Sequence, residues 1–234
     1  MKRLLKYISL SLLFVFILLA GLATYSFFVS YMDFGLFFSG QSCKAPCWHN
    51  LTPGQSTSED VDHFLDSLSE TTWPTRDIRT PISECKSILV IDQFHDASVS
   101  LFVENDRLTF IQSSHTYIAN LGQIVDRFGP PEYAEATLAV GPEGRGYTLE
   151  VYYPRQGLSF QILPSIKDVG LIKKEMEVYT AEYYQPGDLL SYLTDKYSCD
   201  MGQENAKAFA QNTIKYLIQT WPGFGKVNVI LRKT

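Results

Sequence analysis

The sequence predicts an α+β fold: an N-terminal transmembrane helix followed by an antiparallel-sheet domain with short amphipathic helices. Three observations predict it. A long uncharged apolar run sits behind a basic flank at the N-terminus. Most of the remaining chain reads as strands joined by tight turns, which is the mark of hairpins. The few helical segments are short, capped and apolar on one face only, so they suit covering a sheet rather than alternating with parallel strands.

Lys2, Arg3 and Lys6 precede 26 residues without a charge, Tyr7 to Met32. About 20 apolar residues cross a bilayer as a helix. LLFVFILLAGLA forms the centre of the run, and YSFFVSYM adds interfacial aromatics. The basic flank, residues 1–6, belongs in the cytoplasm, which puts everything after the anchor, 7–32, on the far side of the membrane. A cleaved signal peptide is the competing reading, with Gly21-Leu22-Ala23 as small residues near a cleavage point. Against it, the apolar run continues well past Ala23 and FGLFF follows. A lipoprotein signal wants an aliphatic residue three places before its cysteine, and Gly40 stands there before Cys43. Residues 33–45, with Gly35, Ser39, Gly40 and Ser42, read as a linker. Residues 46–234 then form one extracytoplasmic domain.

That domain opens with a turn at Thr52-Pro53-Gly54 and a capping box, Ser56 with Glu59 or Thr57 with Asp60. Val61, Phe64, Leu65 and Leu68 follow at helical spacing, with Cys47 and Trp48 at the helix entrance. Strands are expected at Ser87–Asp92, Ser98–Glu104 and Arg107–Ser113, the last two joined at Asn105-Asp106 as a hairpin. A second helix begins at Asn120, answered by Gln123, and ends at Gly129 in a left-handed cap before Pro130-Pro131. Strands resume at Tyr133–Val140, Thr148–Tyr153, Leu158–Leu163 and Glu175–Tyr183, with GPEGRG and Pro154–Gly157 as turns. A short helix runs from Pro186-Gly187-Asp188 through Leu193. Another spans Glu204–Thr220, with Phe209, Ile214, Leu217 and Ile218 inward, and KVNVIL closes the chain as a strand.

Composition bounds function. The chain carries 20 basic and 25 acidic residues, net −5; setting aside Lys2, Arg3 and Lys6 leaves 17 against 25, net −8 for the outer part. A nucleic-acid binder needs a basic face, so that class is excluded, as is adhesion to anionic headgroups. Four cysteines, Cys43, Cys47, Cys85 and Cys199, fall on the oxidising side, where disulfides persist. They allow three pairings, and a link from the N-terminal pair to Cys85 or Cys199 would staple distant parts of the domain, contributing roughly 2–4 kcal/mol. Cys43-x-x-x-Cys47 beside His49 is also half of a zinc site, but no second close pair completes it. We therefore assign no metal ligands, no cofactor-binding residues and no cofactor.

Catalytic motifs are few. There is no G-x-S-x-G elbow, no H-E-x-x-H, and GPEGRG lacks the Lys-Ser/Thr of a phosphate loop. His49, His63, His95 and His115 stand singly, and Glu59-Asp60 suits a helix start better than acid–base work. Tyr147, Tyr152, Tyr153, Tyr183 and Tyr184 read as core, with an exposed binding patch as the alternative. No catalytic residue is assigned.

Some stretches resemble known proteins. PGQSTSEDVDHFLDSL resembles the helix opening G-x-(S/T)-x-x-x-V-x-x-x-L of BamE/SmpA-like and β-lactamase-inhibitor-protein-like folds, and LGQIVDRFGPPEY resembles their G-x-P helix exit. Pro46–Gly54, Phe128–Glu132 and Tyr152–Phe160 resemble the PCW, FGPPE and YYPxxG motifs of uncharacterised membrane-anchored bacterial proteins of Chloroflexi type. The first helix departs from the pattern, running into SETTWPT without a G-x-P exit. The resemblance implies no enzymatic activity and implies protein binding through a sheet face. The expectation is a non-enzymatic, single-pass membrane protein serving binding or envelope scaffolding, with the membrane and a protein as its partners. A cell-surface hydrolase using His63, His95 or Asp92 is the alternative. A third reading is an accessory subunit whose anchor meets a partner helix through Gly21 and Ala23.

Overall fold

The computed structural model describes Gly21, Cys43 and residues 45–68, 75–79, 86–92, 97–141 and 144–233. The chain divides between Ser39 and Gly40 into two units. The proposed anchor, apart from Gly21, lies outside the described residues; among those, no helix is long and apolar enough to cross a membrane.

The second unit is an α+β fold. One ten-stranded sheet runs β1 (Thr75–Arg79), β2 (Lys86–Asp92), β3 (Ala97–Glu104), β4 (Arg107–Asn120), β9 (Glu177–Tyr184), β7 (Leu158–Ile162), β6 (Gly144–Tyr153), β5 (Tyr133–Gly141) and β10 (Ile218–Thr220), with β12 (Ile230–Lys233) also on β5. Every pair is antiparallel except β12 with β5. β8 (Leu171–Ile172) and β11 (Gly225–Lys226) form a separate two-stranded ladder. The helices are α1 (Ser58–Asp66), α2 (Leu121–Phe128), α3 (Leu189–Met201) and α4 (Gln203–Tyr216).

The local devices explain the elements. Thr57 and Asp60 form the capping box of α1, while Ser56 instead accepts from the Thr52 amide at 3.0 Å. Trp48 is buried at the entrance and packs edge-on against Phe64 at 5.2 Å. Asn105 and Asp106 take φ of 50° and 63°, the left-handed pair a two-residue hairpin requires between β3 and β4. Asn120 and Gln123 cap α2 reciprocally. Gly129 has the expected positive φ of 81°, but its ψ of −177° sends the chain straight on towards β5 rather than into a left-handed cap.

Several boundaries differ from the sequence reading: the strand expected at Arg107–Ser113 runs on to Asn120, and β1 was not expected. GPEGRG is a shorter turn than expected, because Gly141 and Gly144 already pair across β5 and β6. The helix at Asp188 continues to Met201, since tertiary packing under Tyr192 and Leu193 extends it. α4 stops at Tyr216, because Ile218–Thr220 leave it to pair with β5. Its buried face is Ala206, Ala210 and Thr213, small residues that let two helices approach; Phe209, Ile214, Leu217 and Ile218 are only half-buried. KVNVIL divides: Lys226 ends β11 and Ile230 begins β12.

Alternation gives the sheet two unlike faces. Leu149, Val151, Tyr153, Leu158, Phe160 and Ile162 make one apolar face, covered by α2 through Phe128, which lies 6.1 Å from Tyr153 and 5.8 Å from Phe160. Phe110, Tyr152 and Tyr184 on the other face form a core with Leu189, Tyr192 and Leu193 of α3 and Ala210 of α4. The five tyrosines expected as core are all buried. Gly157 makes this possible: at φ +66° it ends the turn after β6, and a Cβ there would meet the Tyr184 carbonyl oxygen at 2.2 Å.

Candidate functional site

Two places gather polar or exposed apolar groups in ways that packing alone does not demand. The first lies between the sheet and α3. β6 carries Thr148-x-Glu150-x-Tyr152, β9 carries Thr180-x-Glu182-x-Tyr184, and β5 carries Tyr133-x-Glu135-x-Thr137 in the reverse direction. Glu135 faces Glu150 directly in register. Among the described residues, three carboxylates thus share one covered face with the cation of Lys196 on α3.

Lys196 Nζ donates to Glu150 Oε1 and Glu182 Oε2, each at 3.0 Å, and to the Tyr192 hydroxyl at 3.2 Å. Gln112 Nε2 donates to Glu182 Oε1 at 2.7 Å, and the Tyr192 hydroxyl donates to Glu182 Oε2. Ser159 Oγ bonds both carboxylates at 3.2 Å, and Tyr152 donates to Glu135 at 3.0 Å. Lys196 is 18% exposed and Glu182 4%. Burial works against the Lys196 charge, but the two carboxylates outweigh it and hold the ammonium well above its usual range. Burial also raises Glu182, yet Lys196 and the donors from Tyr192 and Gln112 win and keep it below. Glu150 goes the other way: burial, with Glu182 and Glu135 nearby, lifts it more than Lys196 lowers it. A lysine held charged is no general base. The polar atoms of this cluster are spent on one another, so it acts as an internal brace.

The second place is the loop from β7 to β9 and the segment it pairs with. Leu163, Ile166 and Val169 are 54%, 48% and 36% exposed. They stand before, at the start of and just after a 3₁₀ turn, Ile166–Asp168. The loop is tied down at several points. Gly170 accepts from Val227 at 3.0 Å, β8 pairs with β11, and Lys173 Nζ meets Asp168 Oδ1 at 2.5 Å. The first free amides of α2, on Leu121 and Gly122, donate to the Met176 and Lys174 carbonyls, both at 2.8 Å. A groove of about 610 Å³ lies beside Leu163, lined also by Pro164, Glu175, Glu177 and Tyr179. A second groove, about 390 Å³, runs along Val169, Leu171, Pro222 and Val227.

Sites read from the sequence are placed as follows. Cys43 and Cys47 are disulfide-paired, with Cα atoms 5.7 Å apart and a sequence separation of 4. A loop this short removes less chain entropy than a link to Cys85 or Cys199 would. Cys85 and the Cys199 side chain lie outside the described residues, as do His95 and the side chains of Asp92 and His115. His63 is exposed on α1, 3.7 Å from Glu59. Asp60 serves its cap, and the Thr57 amide holds its carboxyl below the usual range. Among the described residues no group of three or more His, Cys, Asp or Glu is placed to hold a metal.

Sequence reasoning missed the brace and the ridge. The recurring Thr-x-Glu-x-Tyr pattern was its available signal, because alternation places all three side chains on one face. The ridge had a weaker one, three aliphatic residues in a loop bounded by Pro164 and Gly170. Comparison of the chain with protein-family models, curated proteins and solved structures found no match in any of the three.

Proposed function

We propose that the chain is a membrane-anchored binding protein that presents its folded unit on the outer side of the membrane and acts by contact rather than catalysis. The observation that carries this reading is the ridge of Leu163, Ile166 and Val169, exposed on a loop that is itself held by hydrogen bonds and an ion pair. Exposed apolar side chains on a fixed backbone suit docking, since little ordering remains to be done on binding. The basic flank and uncharged run of residues 1–32 support the anchoring. The polar cluster at Lys196 fits a supporting role, because its groups already satisfy one another.

The test is site-directed photo-crosslinking of the full-length protein in its native membranes. A photoreactive side chain at Ile166 is compared with one at Gln211, exposed on α4. A discrete adduct that recurs from Ile166 and is absent from Gln211 is the expected result. Equal adduct patterns from both positions, or none from Ile166, would count against the ridge as the contact surface.

A further inference from the structure

The groove beside the ridge combines two chemistries. Leu163 and Pro164 give it apolar lining, and Ile166, close by in the chain, is exposed. Asp168, Lys173, Glu175 and Glu177 line it as well. Lys173 is consumed by Asp168 at 2.5 Å, so the two cancel. Glu175 is exposed and has no hydrogen bond or ion pair among the described residues. Glu177 accepts one hydrogen bond, from the Tyr179 hydroxyl to Oε2 at 2.6 Å, which leaves its other oxygen available. Lys174 lies against the Phe224 ring at 5.4 Å, and Lys167, on the turn, is not among the lining residues. Two carboxylates with no ion pair among the described residues therefore line one groove with Leu163, Pro164 and Tyr179.

We infer that this groove takes a protein segment carrying a lysine or arginine among apolar residues; the inference rests on the binding reading above. The warrant is complementarity of two kinds. An ammonium or guanidinium would gain charge-assisted hydrogen bonds from Glu175 and Glu177 and could lie over the Tyr179 ring. Apolar neighbours of that cation would cover Leu163 and Ile166. An anionic lipid surface is disfavoured by the same two carboxylates and by the net −8 of the outer chain. The Leu121 and Gly122 amides grip the backbone between Lys173 and Glu177, so the acidic lining keeps its place when empty.

The experiment uses the full-length protein in nanodiscs of zwitterionic lipid and measures fluorescence anisotropy of three labelled peptides. The probe alternates leucine with lysine and arginine. One twin replaces its cations with glutamate, and the other replaces its leucines with serine. The probe is expected to bind at least about 10-fold tighter than either twin, and binding should weaken as salt rises from about 0.05 to about 0.5 M. Glu175→Gln/Glu177→Gln and Ile166→Ser should each weaken it by about 10-fold or more, with far-UV circular dichroism unchanged. The inference is overturned if the acidic twin binds as well, if the groove variants bind the probe like wild type, or if phosphatidylserine vesicles bind in place of the peptide. Adducts from Ile166 together with no peptide binding would sink this inference alone; loss of both would sink the binding reading with it.

Discussion

Adjacent residues on α3 meet carboxylates in opposite ways. Lys196 reaches down to Glu150 and Glu182, and the cation keeps Glu182 charged although it is nearly inaccessible. Asp195, one position earlier, feels the charge of Glu104 on β3. Glu104 is held instead by neutral donors, Ser198 Oγ at 2.8 Å and Gln203 Nε2 at 3.1 and 3.3 Å. Burial first, and then the charges of Glu104 and Asp188, push the Asp195 carboxyl up to about 6. The difference teaches that a buried acid keeps its charge here only where its donors outweigh burial and its acidic neighbours. Glu182 has Lys196, Tyr192 and Gln112 and stays low. Glu150 shares Lys196 with Glu182 and has Glu135 nearby, Asp195 faces Glu104 and Asp188, and both rise.

Removing the cation breaks the comparison most severely. Lys196→Met should destabilise the unit by roughly 3–5 kcal/mol, because Glu150, Glu182 and Glu135 would be left sharing a covered face with no compensating charge. Urea titration of the full-length protein in detergent, followed by intrinsic tryptophan fluorescence, measures it. Adding Glu150→Gln and Glu182→Gln to Lys196→Met should recover most of the loss. A loss under about 1 kcal/mol would mean that water, not Lys196, neutralises the cluster.

A smaller and more selective break is available at the sheet beneath. Gly157→Ala forces a positive φ on a residue with a Cβ and drives that Cβ onto the Tyr184 carbonyl oxygen. The expected cost is about 2–3 kcal/mol. β7 would separate from β9, which carries Glu182, whereas Glu104 on β3 is remote from the change. Raised hydrogen exchange at Ser159 and Tyr184, with Ser198 and Gly202 protected as before, is the expected pattern. Uniform loss of protection would show the two clusters to be one cooperative unit.

How much of this was legible beforehand divides along physical lines. Caps and tight turns were, because Thr57 with Asp60, Asn120 with Gln123, and Asn105-Asp106 each act within a few residues and need no tertiary partner. The β3–β4 hairpin and the buried tyrosines followed from alternation. The extent of α3, the early end of α4 and the pairing of β10 and β12 with β5 were not, since each is decided by residues many positions away. The brace has the same character: Gln112, Glu150, Ser159, Glu182 and Lys196 come from five elements, and only register brings them together. The ridge was hidden for the converse reason. Leu163, Ile166 and Val169 look like core residues in any local window, and only the fold leaves them outside.

The mildest prediction tests the neutral half of the comparison through pH. Asp195 has a folded-state value of about 6, raised above its ordinary 3.8. Between those two values the folded chain holds a proton that the unfolded chain has released. The contribution to stability is therefore complete below the unfolded value and is lost as pH rises through about 6. Asp195→Asn mimics the protonated acid at every pH. It should be more stable than wild type above pH 7 by about 1 kcal/mol, a figure reduced from the full shift because the side chain keeps some contact with water. The two proteins should converge as pH falls below the folded value. Glu104 and Asp188 face the same carboxyl, so Glu104→Gln should lower the Asp195 midpoint, which titration of the side-chain carboxyl by NMR would read directly. A midpoint for Asp195 near 4 in the wild-type protein would instead mean that Ser198 and Gln203 keep Glu104 from acting on its neighbour, and that the two carboxylate clusters differ in partners but not in charge.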